Sequence, residues 1–126
     1  MNDSREMSLV LANDVPFLSG LMRLAVADSG FEVVGEANLK TELIELCELK
    51  RPDVVIIDMQ LPEKEMIHLI EKILDYDVTM AIIVIAEAGA GLGEKLMASG
   101  AMAYLQKPYT TYDLLDMIRK VAPILR

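Results

Sequence analysis

Two hydrophobic runs with no polar interruption stand out, Val54-Val55-Ile56-Ile57 and Ala81-Ile82-Ile83-Val84-Ile85-Ala86. Runs this short and rich in β-branched residues predict strands that are apolar on both faces, as the central strands of a parallel sheet are. The first is preceded by Asp53 and closed by Asp58, and Pro62 ends further ladder pairing four residues on. Ser8 to Ala12, Phe31 to Glu36 and Ala101 to Gln106 predict three more strands. Between strands the period lengthens to that of a helix. Phe17, Leu18, Leu21, Met22, Leu24 and Ala25 predict a helix from Val15 to Ser29, with Pro16 in its first turn and Gly30 ending it in the left-handed conformation. Leu39, Leu43, Ile44, Leu46 and Cys47 predict a second helix to about Lys50, capped by Asn38. Met66, Ile67, Leu69, Ile70, Ile73 and Leu74 predict a third from about Glu63 to Asp75. A small-residue loop, Glu87 to Gly93, leads to a short helix ending near Ser99-Gly100, and Thr110 or Thr111 caps a last helix to about Val121.

Five strands alternating with five helices predict an α/β fold, with right-handed crossovers placing helices on both faces of one parallel sheet. No linker or repeat interrupts the pattern, so residues 1–126 read as a single domain with its core over about 8–122. Charge narrows the partners. With 12 Lys+Arg against 20 Asp+Glu, the net charge of −8 argues against direct contact with nucleic acid or an anionic membrane. Cys47 is the single cysteine, so no internal disulfide forms, and its place on an apolar helical stripe predicts a core residue. The opening Met1 to Glu6 is polar, and no apolar run approaches the ~18 residues of a membrane span. A cytoplasmic protein is expected.

The chemistry is predicted where strand ends meet. Asn13 and Asp14 end the first strand, Asp58 the third, Ala86 the fourth and Lys107 the fifth. Two carboxylates and an amide suit a Mg²⁺ that keeps several waters and bridges to a phosphate. A lysine opposite can pair with Asp58 and with phosphate oxygens. Gly89 to Gly93 reads as a flexible loop beside the site, since a dinucleotide fingerprint belongs in the first strand–helix turn. His68, the only histidine, reads as a surface helix residue.

These residues make the chain resemble the receiver domain of two-component response regulators over about Leu9 to Val121. The matching elements are Asn13-Asp14 after the first strand, Val54 to Asp58 with Pro62 four on, Gly100-Ala101, and Tyr104 three before Lys107-Pro108. The resemblance implies a doubly wound, flavodoxin-like sheet of order 2-1-3-4-5 and a cis bond before Pro108. It implies Asp58 as phosphoacceptor, with Mg²⁺ held by Asp14, Asp58 and the Gln60 backbone carbonyl, and by Asn13 through water. Lys107 would contact the phosphoryl group, and Ala86 and Tyr104 would occupy the switch positions. The implied partners are a sensor histidine kinase or phosphotransfer protein and a downstream protein or output domain. A weak dimer through the fourth helix, fifth strand and last helix is also implied.

Three positions depart from the family pattern. Asn13 stands where a second acid is usual. Ala86, or Ile85 by the other count, stands where a Ser or Thr is usual. Glu65-Met66 replaces the usual Asp-Gly beyond the proline. Acceptor chemistry survives these changes, whereas the usual relay of the signal lacks its hydroxyl. Two other readings stand beside the receiver: a pseudo-receiver that binds partners without phosphorylation, and an aspartyl-phosphate phosphohydrolase. The last fits poorly, because Gln60 occupies the position of the second acid such enzymes generally need.

Overall fold

The computed structural model describes residues 6–27 and 30–121. Its strands are β1 (Met7–Asn13), β2 (Phe31–Ala37), β3 (Val54–Asp58), β4 (Ala81–Ala86) and β5 (Ala103–Gln106). Its helices are α1 (Pro16–Ala27), α2 (Lys40–Lys50), α3 (Glu63–Tyr76), α4 (Leu92–Ala98) and α5 (Thr111–Val121). The strands form one parallel sheet in the order β2-β1-β3-β4-β5. Val54 to Ile57 and Ala81 to Ile85 are fully buried, as two-sided apolar strands must be in a sheet covered on both faces.

Side-chain alternation along the strands feeds two cores. Val10, Val55, Ile57, Ile82 and Val84 face α2, α3 and α4 through Leu43, Cys47, Leu69, Ile70, Ile73 and Leu96. Leu9, Leu11, Ile56, Ile83 and Ile85 face α1 and α5 through Met22, Val26, Leu114 and Ile118. Cys47 lies in the first core, and burial raises its thiol pKa to about 12, so it stays protonated.

Local details differ from expectation at the cap of α2 and the start of β5, while the cap of α5 is one of the two residues expected. Leu39, not Asn38, is the N-cap of α2, and Glu42 folds back to accept hydrogen bonds from the N–H groups of Asn38 and Leu39. Asn38 is drawn away because its side-chain amide donates to the Asn13 carbonyl at 2.8 Å. β5 begins at Ala103, two residues later than predicted. Thr110 caps α5: its Oγ1 accepts from the Asp113 N–H, and Asp113 accepts from the Thr110 N–H. The expected extension of α1 to Ser29 and the opening Met1 to Arg5 fall outside the described residues. Gly30 has φ +87°, the left-handed conformation expected after α1.

α1 gives the largest surprise. The helix forms where predicted, but its buried residues are Ser19, Met22 and Val26. Ser19 is held inside by donating to Glu36 on β2 at 3.0 Å, and Arg23 pairs with the same carboxylate. Phe17, Leu18, Leu21 and Leu24, half of the predicting stripe and more, face solvent.

Candidate functional site

In a sheet of this order the chain leaves β1 to one side and β3 to the other. The crevice beyond their carboxyl ends is where open α/β sheets bind ligands. Register places Asn13 directly beside Asp58 across that crevice. Both are almost fully buried, at 2% and 6% exposure, so each polar atom needs a partner.

The Asp58 carboxylate has two. Lys107 Nζ, arriving from the end of β5, is 2.8 Å from Oδ1. Asn13 Nδ2 donates to Oδ2 at 3.2 Å. The amide can only face this way, because Asn13 Oδ1 accepts from the Val15 N–H at 2.8 Å, and reversing it would set donor against donor. Asn13 therefore presents a donor to Asp58 rather than an oxygen to a cation. Asp14, next in sequence, is exposed, and its Oδ2 accepts from the Gln60 N–H at 2.9 Å, tying the first loop to the residue two past Asp58.

The hydrogen bond to Asp58 is the largest influence on Lys107, holding its ammonium above the ordinary lysine value against the smaller opposing effect of burial. On the Lys107 side, the pair's contribution is complete below the ordinary lysine value and is lost as pH rises through that raised value. Tyr109 sits nearby, and burial, with the Asp58 charge second, pushes its phenol up. The Lys107–Pro108 bond is cis.

A second set of groups lies on the β4–β5 side. Ala86 ends β4, partly exposed, and its carbonyl accepts from the Lys107 N–H at 2.9 Å. Ile85 is fully buried and faces the other core. Both residues border a cleft of about 470 Å³ shared with Lys107, Met59, Gln60, Met66 and Leu96, and of the two only Ala86 is partly exposed. The Tyr104 hydroxyl donates to the Glu87 carbonyl at 2.9 Å, and its ring packs over Gly93 in the first turn of α4. A Cβ on Gly93 would lie 2.8 Å from Tyr104 Cδ2, closer than side-chain atoms pack.

The donor set was legible as a group of strand ends: Asn13, Asp14, Asp58, Ala86 and Lys107 all border the crevice. Two participants were missed. Asn38 reads as a helix cap, and only the fold brings it to the Asn13 carbonyl. Gly93 reads as loop filler until Tyr104 is placed on it.

The geometry meets its family at this point. The family model of the response regulator receiver domain matches residues 9–119. The chain belongs to that family. PdtaR, a transcriptional regulatory protein of Mycobacterium tuberculosis, is 32% identical over 110 residues, which span 87% of this chain and 54% of PdtaR. The chemotaxis protein CheY of Listeria monocytogenes is 26% identical over 117 residues, 92% of this chain and 98% of that protein. The chain thus spans about half the length of one relative and nearly all of the other. Among solved structures, a CheY-like receiver domain protein of Methanospirillum hungatei superposes with a TM-score of 0.86, covering 96% of this chain and 97% of that one at 22% identity. That likeness carries the fold, including the 2-1-3-4-5 strand order.

Asp14 and Asp58 are the carboxylates that border the crevice, hard-oxygen groups of the kind Mg²⁺ takes with several retained waters. Among the described residues no three acidic, histidine or cysteine side chains group together, so such an ion would rest on two carboxylates and backbone. Among the described residues no helix is long and apolar enough to cross a membrane.

Proposed function

We propose that this receiver accepts a phosphoryl group on Asp58 and passes the signal on through protein–protein contacts. One observation carries the reading: a buried carboxylate at a strand end, held at 2.8 Å by a lysine whose ammonium can equally reach a phosphoryl oxygen. In the step, an Asp58 oxygen attacks phosphorus. The bond from phosphorus to the donor atom breaks, and that atom departs with the electron pair. Lys107 stabilises charge on the phosphoryl oxygens as it transfers, and Asn13 gives up its hydrogen bond to Oδ2. Asp14, Asp58 and the Gln60 carbonyl would hold Mg²⁺, which when bound offsets phosphoryl charge. The donors that fit are a sensor histidine kinase or a phosphotransfer protein. The readers that fit are a downstream protein or an output domain. On this reading the chain turns over no substrate and works in the cytoplasm.

A second reading, a module of the same fold that binds partners without phosphorylation, draws support from the absent hydroxyl at Ala86 and from Tyr104 being already engaged with Glu87. Intact-mass measurement with acetyl phosphate and Mg²⁺ separates the two. The first reading expects a ~80 Da adduct that Asp58→Asn abolishes and Lys107→Ala slows by about a hundredfold. No adduct, under conditions that label an ordinary receiver, leaves the second.

A further inference from the structure

β1 outruns β2 by one residue, and a side chain fills the gap. The β1–β2 ladder closes with Ala12 beside Ala37, so Asn13 stands one residue past the last pair. Asn13 is almost wholly buried, and its carbonyl needs a donor in place of water. The next backbone N–H groups of that chain segment are taken. Those of Asn38 and Leu39 both donate to Glu42 Oε1, at 2.9 and 3.1 Å. The Asn38 side chain serves instead, its Nδ2 donating to the Asn13 carbonyl at 2.8 Å. A carbonyl only accepts, so the amide of Asn38 can face it in one orientation alone.

The consequence falls on the next residue. A peptide unit is planar, so a held Asn13 carbonyl also fixes the Asn13–Asp14 peptide plane and the direction in which the chain enters Asp14. The side chain of Asn13 is pinned as well, between the Val15 N–H and Asp58. Asp14 itself is exposed, where a side chain has several rotamers open to it. Its carboxylate accepts from the Gln60 N–H at 2.9 Å, a bond that requires the loop to keep this course.

We propose that Asn38 is a positioning residue of the acceptor site, acting through the Asn13 carbonyl to aim Asp14 at the cation. The role rests on the proposed Mg²⁺ site, so one readout uses the ion and a second does not. Groups that orient a metal ligand govern affinity by about ten- to a hundredfold, and a contact relayed through backbone belongs at the lower end. Asn38→Ala, and Asn38→Leu with similar bulk and no donor, should weaken Mg²⁺ about tenfold in a calorimetric titration of the whole chain. In the metal-free protein, both should speed hydrogen exchange at the Gln60 amide about fivefold. Asn38 is partly exposed, and a cooperative melt confirms that each variant is folded. Cys47→Ala, in the buried face of the helix that Asn38 precedes, lowers the melt and leaves both readouts unchanged. If either readout is unmoved in both Asn38 variants, the proposal is overturned. Equal weakening by Cys47→Ala also overturns it, because Asn38 would then only support α2. A parent chain that binds no Mg²⁺ removes the metal from the proposed function, and the Gln60 exchange rate alone then decides for or against Asn38.

Discussion

The two sides of the crevice at the carboxyl end of the sheet are built to different standards. On the β1–β3 side and at Lys107, the groups that the proposed acceptance needs are assembled: Asp58 is buried, paired with Lys107 and hydrogen bonded to Asn13. On the β4–β5 side, the groups that would report on Asp58 are present only in part. Ala86 offers a methyl group where a hydroxyl would reach a phosphoryl oxygen, and the Tyr104 hydroxyl is already satisfied by the Glu87 carbonyl. On the proposed function, the difference makes accepting a phosphoryl group and relaying its arrival separable properties of one fold. The first needs a nucleophile, a cation and a metal-compatible loop. The second needs a two-state element that the phosphoryl group biases through a differential contact. One charge-assisted hydrogen bond supplies about 1.5–3 kcal/mol, enough to shift a balance roughly ten- to a hundredfold, and Ala86 cannot make it.

Gly93→Ala breaks the β4–β5 side most strongly. The added Cβ overlaps the Tyr104 ring, so the ring turns outward, loses its bond to Glu87 and costs about 1–3 kcal/mol of stability. A denaturant melt reads the cost, and the Tyr104 ring signals read the displacement. Adduct formation at Asp58 should be nearly unchanged, which separates the two sides experimentally.

Asn13→Asp sharpens the β1–β3 side with a smaller effect. It replaces a donor to Asp58 by a like charge, so the metal-free protein loses about 1 kcal/mol. The same change adds an oxygen ligand and should tighten Mg²⁺ about tenfold in a calorimetric titration. Stability that falls without Mg²⁺ and recovers with it is the expected pairing of results.

Much of this was readable before any coordinates. Val54 to Ile57 and Ala81 to Ile85 announce central strands because only a sheet covered on both faces buries such runs. Asp58 and Lys107 announce the site because a charge closing an apolar strand must find a partner. What stayed hidden was decided by contacts that only the folded chain makes, whether near or far in sequence. The direction of the Asn13 amide depends on the Val15 N–H, and the role of Asn38 on a carbonyl 25 residues away. α1 was misleading in a different way. Its apolar residues are so numerous that periodicity establishes the helix without saying which face is covered, and the Ser19–Glu36 bond turns Phe17, Leu21 and Leu24 outward. In α3, by contrast, Met66, Leu69, Ile70 and Ile73 form one stripe and all are buried.

The separation of acceptance from relay is tested most directly by the backbone amide spectrum of Met102 to Tyr109 with Mg²⁺, recorded with and without beryllofluoride, a mimic of the phosphoryl group. Weak coupling predicts shifts at Lys107 and around Asp58, with Met102 to Leu105 nearly unmoved, and Ala86→Thr should extend the shifts to Tyr104. Large shifts across Met102 to Leu105 in the unmodified chain would contradict the account, because the signal would then reach Tyr104 without a hydroxyl at position 86.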